Sequence, residues 1–337
     1  MRDARRRKAL PRADRVVPGV WRLRLPLPWE GVPHGNAWAV ASGSGVVLFD
    51  TGYYQPGSMR QLELALDQAG LRLEHVRLVV CTHAHTDHYG QAAPITEAAG
   101  CELWMHPNYA HIARTAEDPA RALERRIEVG RQSGVPETAL QRYREARRDD
   151  KLGVAKVIPP DRELLPGVEV ETDLGPWHVY ETPGHAPSHV CLHQPDHGLL
   201  ISGDHLLGRV SLFYDYGWTP DPAGEFLAGM DVIEPLGAQL CLAGHGRPFR
   251  DVQGHIDANR REVHERIERV RGALENGGPK TPFEIVPALM GAENLTPMMV
   301  NWGLSEALSY LRYLERRDGV MRAEEADAEG AVRWALA

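Results

Sequence analysis

Cys81-Thr82-His83-Ala84-His85-Thr86-Asp87-His88 is the stretch on which the reading of this chain turns. Four side chains able to hold a metal ion fall within six residues, directly after the apolar run Val76 to Cys81, which reads as a buried strand. The donors therefore lie on a loop at a strand end. Imidazole and carboxylate suit zinc, and donors crowded on a tight loop can be presented to two neighbouring ions. Further donors stand in three later segments, Thr182-Pro183-Gly184-His185, Ser202-Gly203-Asp204 and Ala243-Gly244-His245-Gly246. Each sets a His or Asp where a β-run gives way to a turn.

Working outward, residues 16 to 50 show short β-rich runs separated by turn residues: Val20 to Leu25, Ala37 to Ala41 and Gly45 to Asp50. Ser58 reads as the N-cap of a helix to about Ala69, stopped by Gly70, and the strand Val76 to Cys81 follows. Strand, helix, strand in that order predicts an α/β layered fold. Residues 107 to 157 become Arg/Glu-rich and helical, an insertion over Ala120 to Gln132 and Pro136 to Arg148 that reads as a lid or a dimer contact. Strands resume at His178 to Thr182, Val190 to His193 and Leu199 to Ser202, so two β-rich halves imply two packed sheets with helices outside.

An amphipathic helix over His255 to Asn276 marks the change to a smaller C-terminal module. There Thr281-Pro282-Phe283-Glu284 is a capping box. Leu304, Leu308, Leu311 and Leu314 stripe another helix, and Val320 to Leu336 reads as a short hairpin. Helix, helix, hairpin predicts a winged-helix-like unit. The expected division is a basic flexible tail over 1–15, a main domain over 16–254 and the C-terminal module over 255–337.

Composition narrows the function classes. With 43% apolar residues among 337, the chain can bury a large core, and no apolar run approaches the roughly 20 residues needed to cross a bilayer. Cys81, Cys101, Cys191 and Cys241 are scattered through apolar runs without paired spacing, as expected for thiols in a reducing compartment, so a cytoplasmic location is expected. Met1 to Lys8 is basic but lacks an apolar stretch behind it, which argues against a secretory signal. The net charge of −8 argues against a polyanionic partner.

These motifs resemble the metallo-β-lactamase superfamily over roughly residues 16 to 275. The resemblance implies an αββα sandwich, here with a helical insertion and the winged-helix-like module. It implies that His83, His85 and His185 hold a first metal and Asp87, His88 and His245 a second, with Asp204 bridging. Asp50, in Leu48-Phe49-Asp50-Thr51-Gly52, matches a position that orients the site without touching metal. Two divalent ions, zinc in first place, would lower the pKa of a shared water so that hydroxide attacks at neutral pH, and Asp87 would accept its proton. Asp87 and Asp204 are therefore the expected catalytic carboxylates. His189 is a candidate for supporting the site or touching substrate. His205 should face away from the metals, and His34 and His106 match no ligand motif. The aromatic segment Val210 to Trp218, including Tyr214, reads as either a substrate wall or core, along with Tyr53 and Tyr54. Arg209 reads as a surface residue.

Thr182-Pro183-Gly184-His185, Gly203-Asp204-His205-Leu206-Leu207-Gly208 and the C-terminal module resemble most the glyoxalase II-like and β-lactamase-like protein 2 group. That implies cleavage of an ester-like bond in a thioester, lactone or related small molecule, with an endoribonuclease or phosphodiesterase as the alternative and an iron-dependent oxygenase behind it. Residues 251 to 337 carry 11 Lys and Arg against 15 Asp and Glu, which disfavours nucleic acid. The expected partner is a small-molecule substrate, with no membrane contact. Burial of the leucine stripe against the main domain or in a homodimer is left open.

Overall fold

The computed structural model describes residues 10–29, 31–148, 150–275, 278–292, 296–323 and 330–337. A meander of β1 (Arg12–Val17), β2 (Val20–Pro26), β3 (His34–Ser42) and β4 (Gly45–Phe49) opens the chain. The chain continues through α1 (Ser58–Gln68), β5 (Val76–Cys81), α2 (Thr86–Tyr89), α3 (Ala92–Ala99) and β6 (Glu102–Met105). The insertion is α4 (Ala110–Glu117), α5 (Pro119–Gln132) and α6 (Glu137–Arg147). Next come β7 (Arg162–Glu163), β8 (Glu169–Val170), β9 (Trp177–Glu181), β10 (Val190–Gln194), β11 (Leu199–Gly203), α7 (Pro222–Ile233) and β12 (Leu240–Ala243). The C-terminal part is α8 (Val252–Glu275), α9 (Pro282–Met290), α10 (Pro297–Glu315), β13 (Val320–Arg322) and β14 (Trp334–Leu336).

Strands β1 to β7 form one sheet in sequence order, antiparallel through β4 and parallel from β4 to β7. Strands β8 to β12 form the second, antiparallel except for the β11–β12 pair. Between the sheets lies a core of Trp38, Val40, Phe49 and Val80 against Trp177, Val190, Leu192, Ile201 and Leu242. The outer face of the first sheet packs on Leu62, Leu66 and Ile95 of α1 and α3. The outer face of the second, through Cys191, Leu200 and Cys241, packs on α7 and the C-terminal helices. These four layers are the expected αββα arrangement.

Two expectations need correcting. The basic tail is shorter than 1–15, because Arg12 to Arg15 pair with β2 and Asp14 accepts a hydrogen bond from Arg22 at 2.7 Å; the basic Met1 to Lys8 lies outside the described residues. Gly57, at φ 89°, caps α1 in place of Ser58, which becomes the first helical residue. The C-terminal part packs directly on the second sheet: α8, α9, α10 and the β13–β14 pair share one continuous core with it. The leucine stripe closes within the chain, with Leu308, Leu311 and Leu314 buried.

The insertion docks on that C-terminal part. Ile127, Val135 and Leu140 pack with Phe283, Val300 and Leu304, and the Phe283 amide donates to the Ser133 carbonyl at 2.9 Å.

Candidate metal centre

All seven expected donors sit at the C-terminal ends of strands, along one edge of the sandwich. His83, His85, Asp87 and His88 follow β5, His185 follows β9, Asp204 directly follows β11 and His245 lies two residues past β12. The two sheets are tied at this edge by backbone hydrogen bonds from Val190 to Thr82 at 2.8 Å and from Asn36 to Gly244 at 2.8 Å. The donors from both sheets are thereby held at fixed separation.

They converge in two groups. His85 Nδ1 lies 3.0 Å from His83 Nε2 and 2.9 Å from His185 Nε2. Asp87 Oδ2 lies 3.1 Å from His245 Nε2 and 3.6 Å from His88 Nε2. Asp204 reaches both groups: Oδ2 is 3.8 Å from His185 Nε2 and 3.2 Å from His245 Nε2, and Oδ1 is 3.4 Å from His88 Nε2. A tetrahedral shell with ligand distances of about 2.0–2.1 Å sets neighbouring donors roughly 3.3 Å apart, so these spacings fit metal ions.

Burial makes the same point. His88 Nε2 and Asp204 Oδ1 are both buried and neither has a hydrogen-bond partner, which is costly unless a cation satisfies them. A Cβ on Gly244 would stand 2.2 Å from Asp204 Oδ1 and 2.6 Å from His88 Cε1, so a side chain there would intrude on the donors. Burial holds His185 down at about 4 and His83 well below the usual imidazole range, leaving both neutral with a lone pair free at pH 7. Burial also opposes charge on His245, yet the Asp204 and Asp87 carboxylates outweigh it and lift it to about 10. The second group thus carries a strong negative field, suited to a dication.

The far nitrogen of every ligand imidazole is engaged, which fixes ring orientation and tautomer. His88 Nδ1 donates to Asp50 Oδ2 at 2.8 Å, and His83 Nδ1 lies 3.0 Å from Thr82 Oγ1, whose hydroxyl donates to Asp50 in turn. Asp50 also accepts the Thr82 amide at 2.8 Å, so one carboxylate orients an imidazole of each group. His85 Nε2 donates to Asp215 Oδ2 at 2.8 Å, turning its Nδ1 toward the first group. His185 Nδ1 donates to the Phe213 carbonyl at 3.0 Å and His245 Nδ1 to the His34 carbonyl at 3.2 Å.

His189 supports the site from behind. Its Nδ1 pairs with Thr182 Oγ1 at 2.8 Å, and its Nε2 accepts the backbone amide of Asp204 at 3.1 Å. His205 faces away, buried in the core with its ring tilted against that of Phe226 at 4.7 Å, and His106 pairs with Glu181 at 2.8 Å. Tyr214 corrects the expectation of a substrate or supporting role: it is fully buried, with its hydroxyl 3.4 Å from that of Tyr310. The odd-numbered neighbours Phe213 and Asp215 face the metal donors instead. Half-buried Tyr53 and exposed Trp29 meet edge-on at 5.6 Å, and Arg209 is exposed.

Sequence reasoning missed Asp215 and His111. Asp215 stood within the aromatic segment with nothing in its spacing to mark it. His111, on α4, is buried with its ring 5.8 Å from that of His85 and Nε2 3.9 Å from Asp215. No ligand motif surrounds it, and only folding of the insertion brings it here.

Comparison with known proteins agrees with this geometry. A family model described as the metallo-beta-lactamase superfamily matches residues 31–247. The chain is 23% identical over 290 residues to the probable metallo-hydrolase YqjP of Bacillus subtilis, covering 83% of this chain and 88% of that one. A metallo-beta-lactamase family protein from Thermus thermophilus superposes with a TM-score of 0.79 at 26% identity, covering 96% of this chain and 100% of that one. Likeness to a hydroxyacylglutathione hydrolase from Maricaulis maris is confined to 143 residues, 39% of this chain and 55% of that protein, at 28% identity. The expected nearness to glyoxalase II is therefore carried by only part of the chain. The family model covers more than half of the chain and ends just past His245, and the chain belongs to the metallo-beta-lactamase superfamily as a metal-dependent hydrolase.

Proposed function

We propose that this hydrolase works with two divalent ions, zinc in first place, and cleaves an ester-like bond in a thioester, lactone or related small molecule. The observation that carries the dinuclear reading is Asp204, whose carboxylate spans the two donor groups. Bound ions would acidify a water nucleophile and polarise the carbonyl oxygen of the substrate. The chain's own residues do the rest. His189 holds the backbone of Asp204 in place, Asp50 and Asp215 set the imidazoles, and Asp87 would accept the proton of the attacking water.

Some finer readings belong to the same proposal. Three helices followed by antiparallel β13 and β14 support a winged-helix-like module over 255–337. Four free cysteines support a cytoplasmic location, and no helix among the described residues is long and apolar enough to cross a membrane. A phosphodiester substrate has one observation in its favour. Arg24 has its Nε buried without a hydrogen-bond partner, close to Arg22, Arg247 and His34 on the His245 side. The acidic balance of residues 251–337 favours the small-molecule reading.

Elemental analysis after metal-replete expression should find close to two ions per chain. A screen over lactones, thioesters, phosphodiesters and RNA should then show turnover of a thioester or lactone that a chelator abolishes and added zinc restores. Turnover of RNA or phosphodiesters alone, a single ion per active chain, or oxygen consumption in place of hydrolysis would overturn the proposal.

A further inference from the structure

The flank of the site beside His85 and His185 is walled by aromatic rings drawn from two segments far apart in sequence, the loop after β11 and helix α10. Phe213 is half-buried, with its ring centroid 5.8 Å from the rings of both His85 and His185. Trp302, half-buried on α10, extends the wall at 6.5 Å from Phe213. Trp218, also half-buried, lies 6.1 Å from His111 of α4 and 5.5 Å from the Arg114 guanidinium. Each ring keeps part of its surface accessible, unlike the neighbouring Tyr214, which the core absorbs.

This wall is held firmly in position. Ser305, one helical turn after Trp302, donates from its hydroxyl to the Tyr214 carbonyl, tying α10 to the segment that bears Phe213. The Asp215 amide donates to the His185 carbonyl at 3.1 Å, tying that segment to a metal ligand. Helix α10 is braced from the other side by Val300 and Leu304 against the insertion. Half-exposed aromatic rings beside catalytic donors present an apolar face with little conformational entropy to lose on binding.

Resting on the ester-cleaving reading, we infer that Phe213, Trp218 and Trp302 bind the acyl arm of the substrate, that this arm is an apolar alkyl or aryl group, and that Trp302 sets the acyl length accepted. The C-terminal helix thereby contributes directly to specificity. The wall lies against the ligands of the first metal group, so the acyl arm runs outward from there while the scissile carbonyl sits over Asp204. Hydrolysis of a thioester at that point forms the acyl carbon–oxygen bond from water, breaks the carbon–sulfur bond and releases a carboxylate and a thiol.

The test uses the metal-loaded full-length protein and acetyl, butanoyl, hexanoyl and octanoyl thioesters of N-acetylcysteamine. In the wild type, kcat/KM should rise about threefold per added methylene, as transfer of each methylene onto an apolar wall implies. Trp302→Ala should show a loss that grows with chain length and reaches about tenfold or more on the octanoyl thioester. Trp302→Leu, which keeps an apolar side chain in case the smaller residue disturbs α10, should fall between the two. A flat wild-type series, or an equal loss across the series in both variants at unchanged metal content, would overturn the inference. If no thioester is cleaved at all, the ester-cleaving reading fails separately, and calorimetry with acetate and octanoate still tests the wall. Octanoate should bind more tightly than acetate and lose that advantage in Trp302→Ala; equal affinities in the wild type would sink the idea.

Discussion

Asp50 shows how much one residue outside the ligand set can decide. It directly follows β4 with φ at 61°, a left-handed conformation that Asp tolerates better than most residues, and that turn aims both carboxylate oxygens into the loop of donors. Oδ2 takes the proton-bearing nitrogen of His88, and Oδ1 takes the Thr82 amide. Asp50→Asn keeps the shape and tolerates the backbone, but its single carbonyl oxygen cannot serve both partners. His88 would then be free to take the tautomer whose Nε2 bears the proton and cannot ligate. Metal affinity should fall about 10-fold to 100-fold, read by competition with a chromophoric chelator. Affinity within about twofold of the wild type would show that Asp50 does not orient His88.

Among the elements, the edge strand β1 is held by a charge pair as well as by its ladder. Asp14 accepts from the nearly buried Arg22, which also donates to the Gly246 carbonyl, so β1 is linked through Arg22 to the loop bearing His245. The hydrogen bond from Arg22 outweighs the opposing effect of burial and holds the Asp14 carboxyl below the usual carboxylate range. A depressed carboxyl pKa stabilises the fold above the unfolded value, about 3.9, and that contribution disappears as pH falls through the folded value. Asp14→Asn should therefore cost about 1 kcal/mol at pH 7 in urea unfolding, with the difference from wild type shrinking below about pH 4. A difference that persists unchanged into acid would show that the charge is not responsible. Helix α9 is defined locally: Thr281 Oγ1 accepts the Glu284 amide at 3.3 Å, and Glu284 Oε2 accepts the Thr281 amide at 2.7 Å. Thr281→Ala should lower stability by about 1 kcal/mol in the same measurement.

Across the whole molecule, the core around α8 and α10 is continuous with the outer face of the second sheet, which carries three of the site's strands, β9, β11 and β12. Leu311, fully buried there, is expected to cost about 2–5 kcal/mol when truncated to alanine. Because the core is shared, loss of helix signal and loss of tertiary signal should move together in one denaturant transition. Two separated transitions, with only the first shifted by Leu311→Ala, would make residues 255–337 an independent unit. The same continuity explains why Trp302 can stand at the site although it lies far from every ligand in sequence.

The sequence alone determined the donors and the layers. His83, His85, Asp87 and His88 were legible because a metal loop needs its ligands at close, fixed spacing after a strand, and β5 runs over the very residues its apolar pattern marks. His185, Asp204 and His245 were legible through the turn glycines that follow or precede them, and Asp50 through its place at a strand end. Helix α8 follows from its apolar periodicity, α9 from a capping box written locally in the chain, and α5 and α6 from an Arg/Glu-rich helical composition. Only the tertiary structure decided that Asp215 orients His85, that His189 holds Asp204, and that His111 and Trp302 border the same site. It also decided that Tyr214 is core while Phe213 is not. These roles depend on contacts such as that between His85 and Asp215, 130 residues apart in the chain. Such contacts leave no local periodicity or spacing, because they arise from how two sheets and the helices outside them are packed.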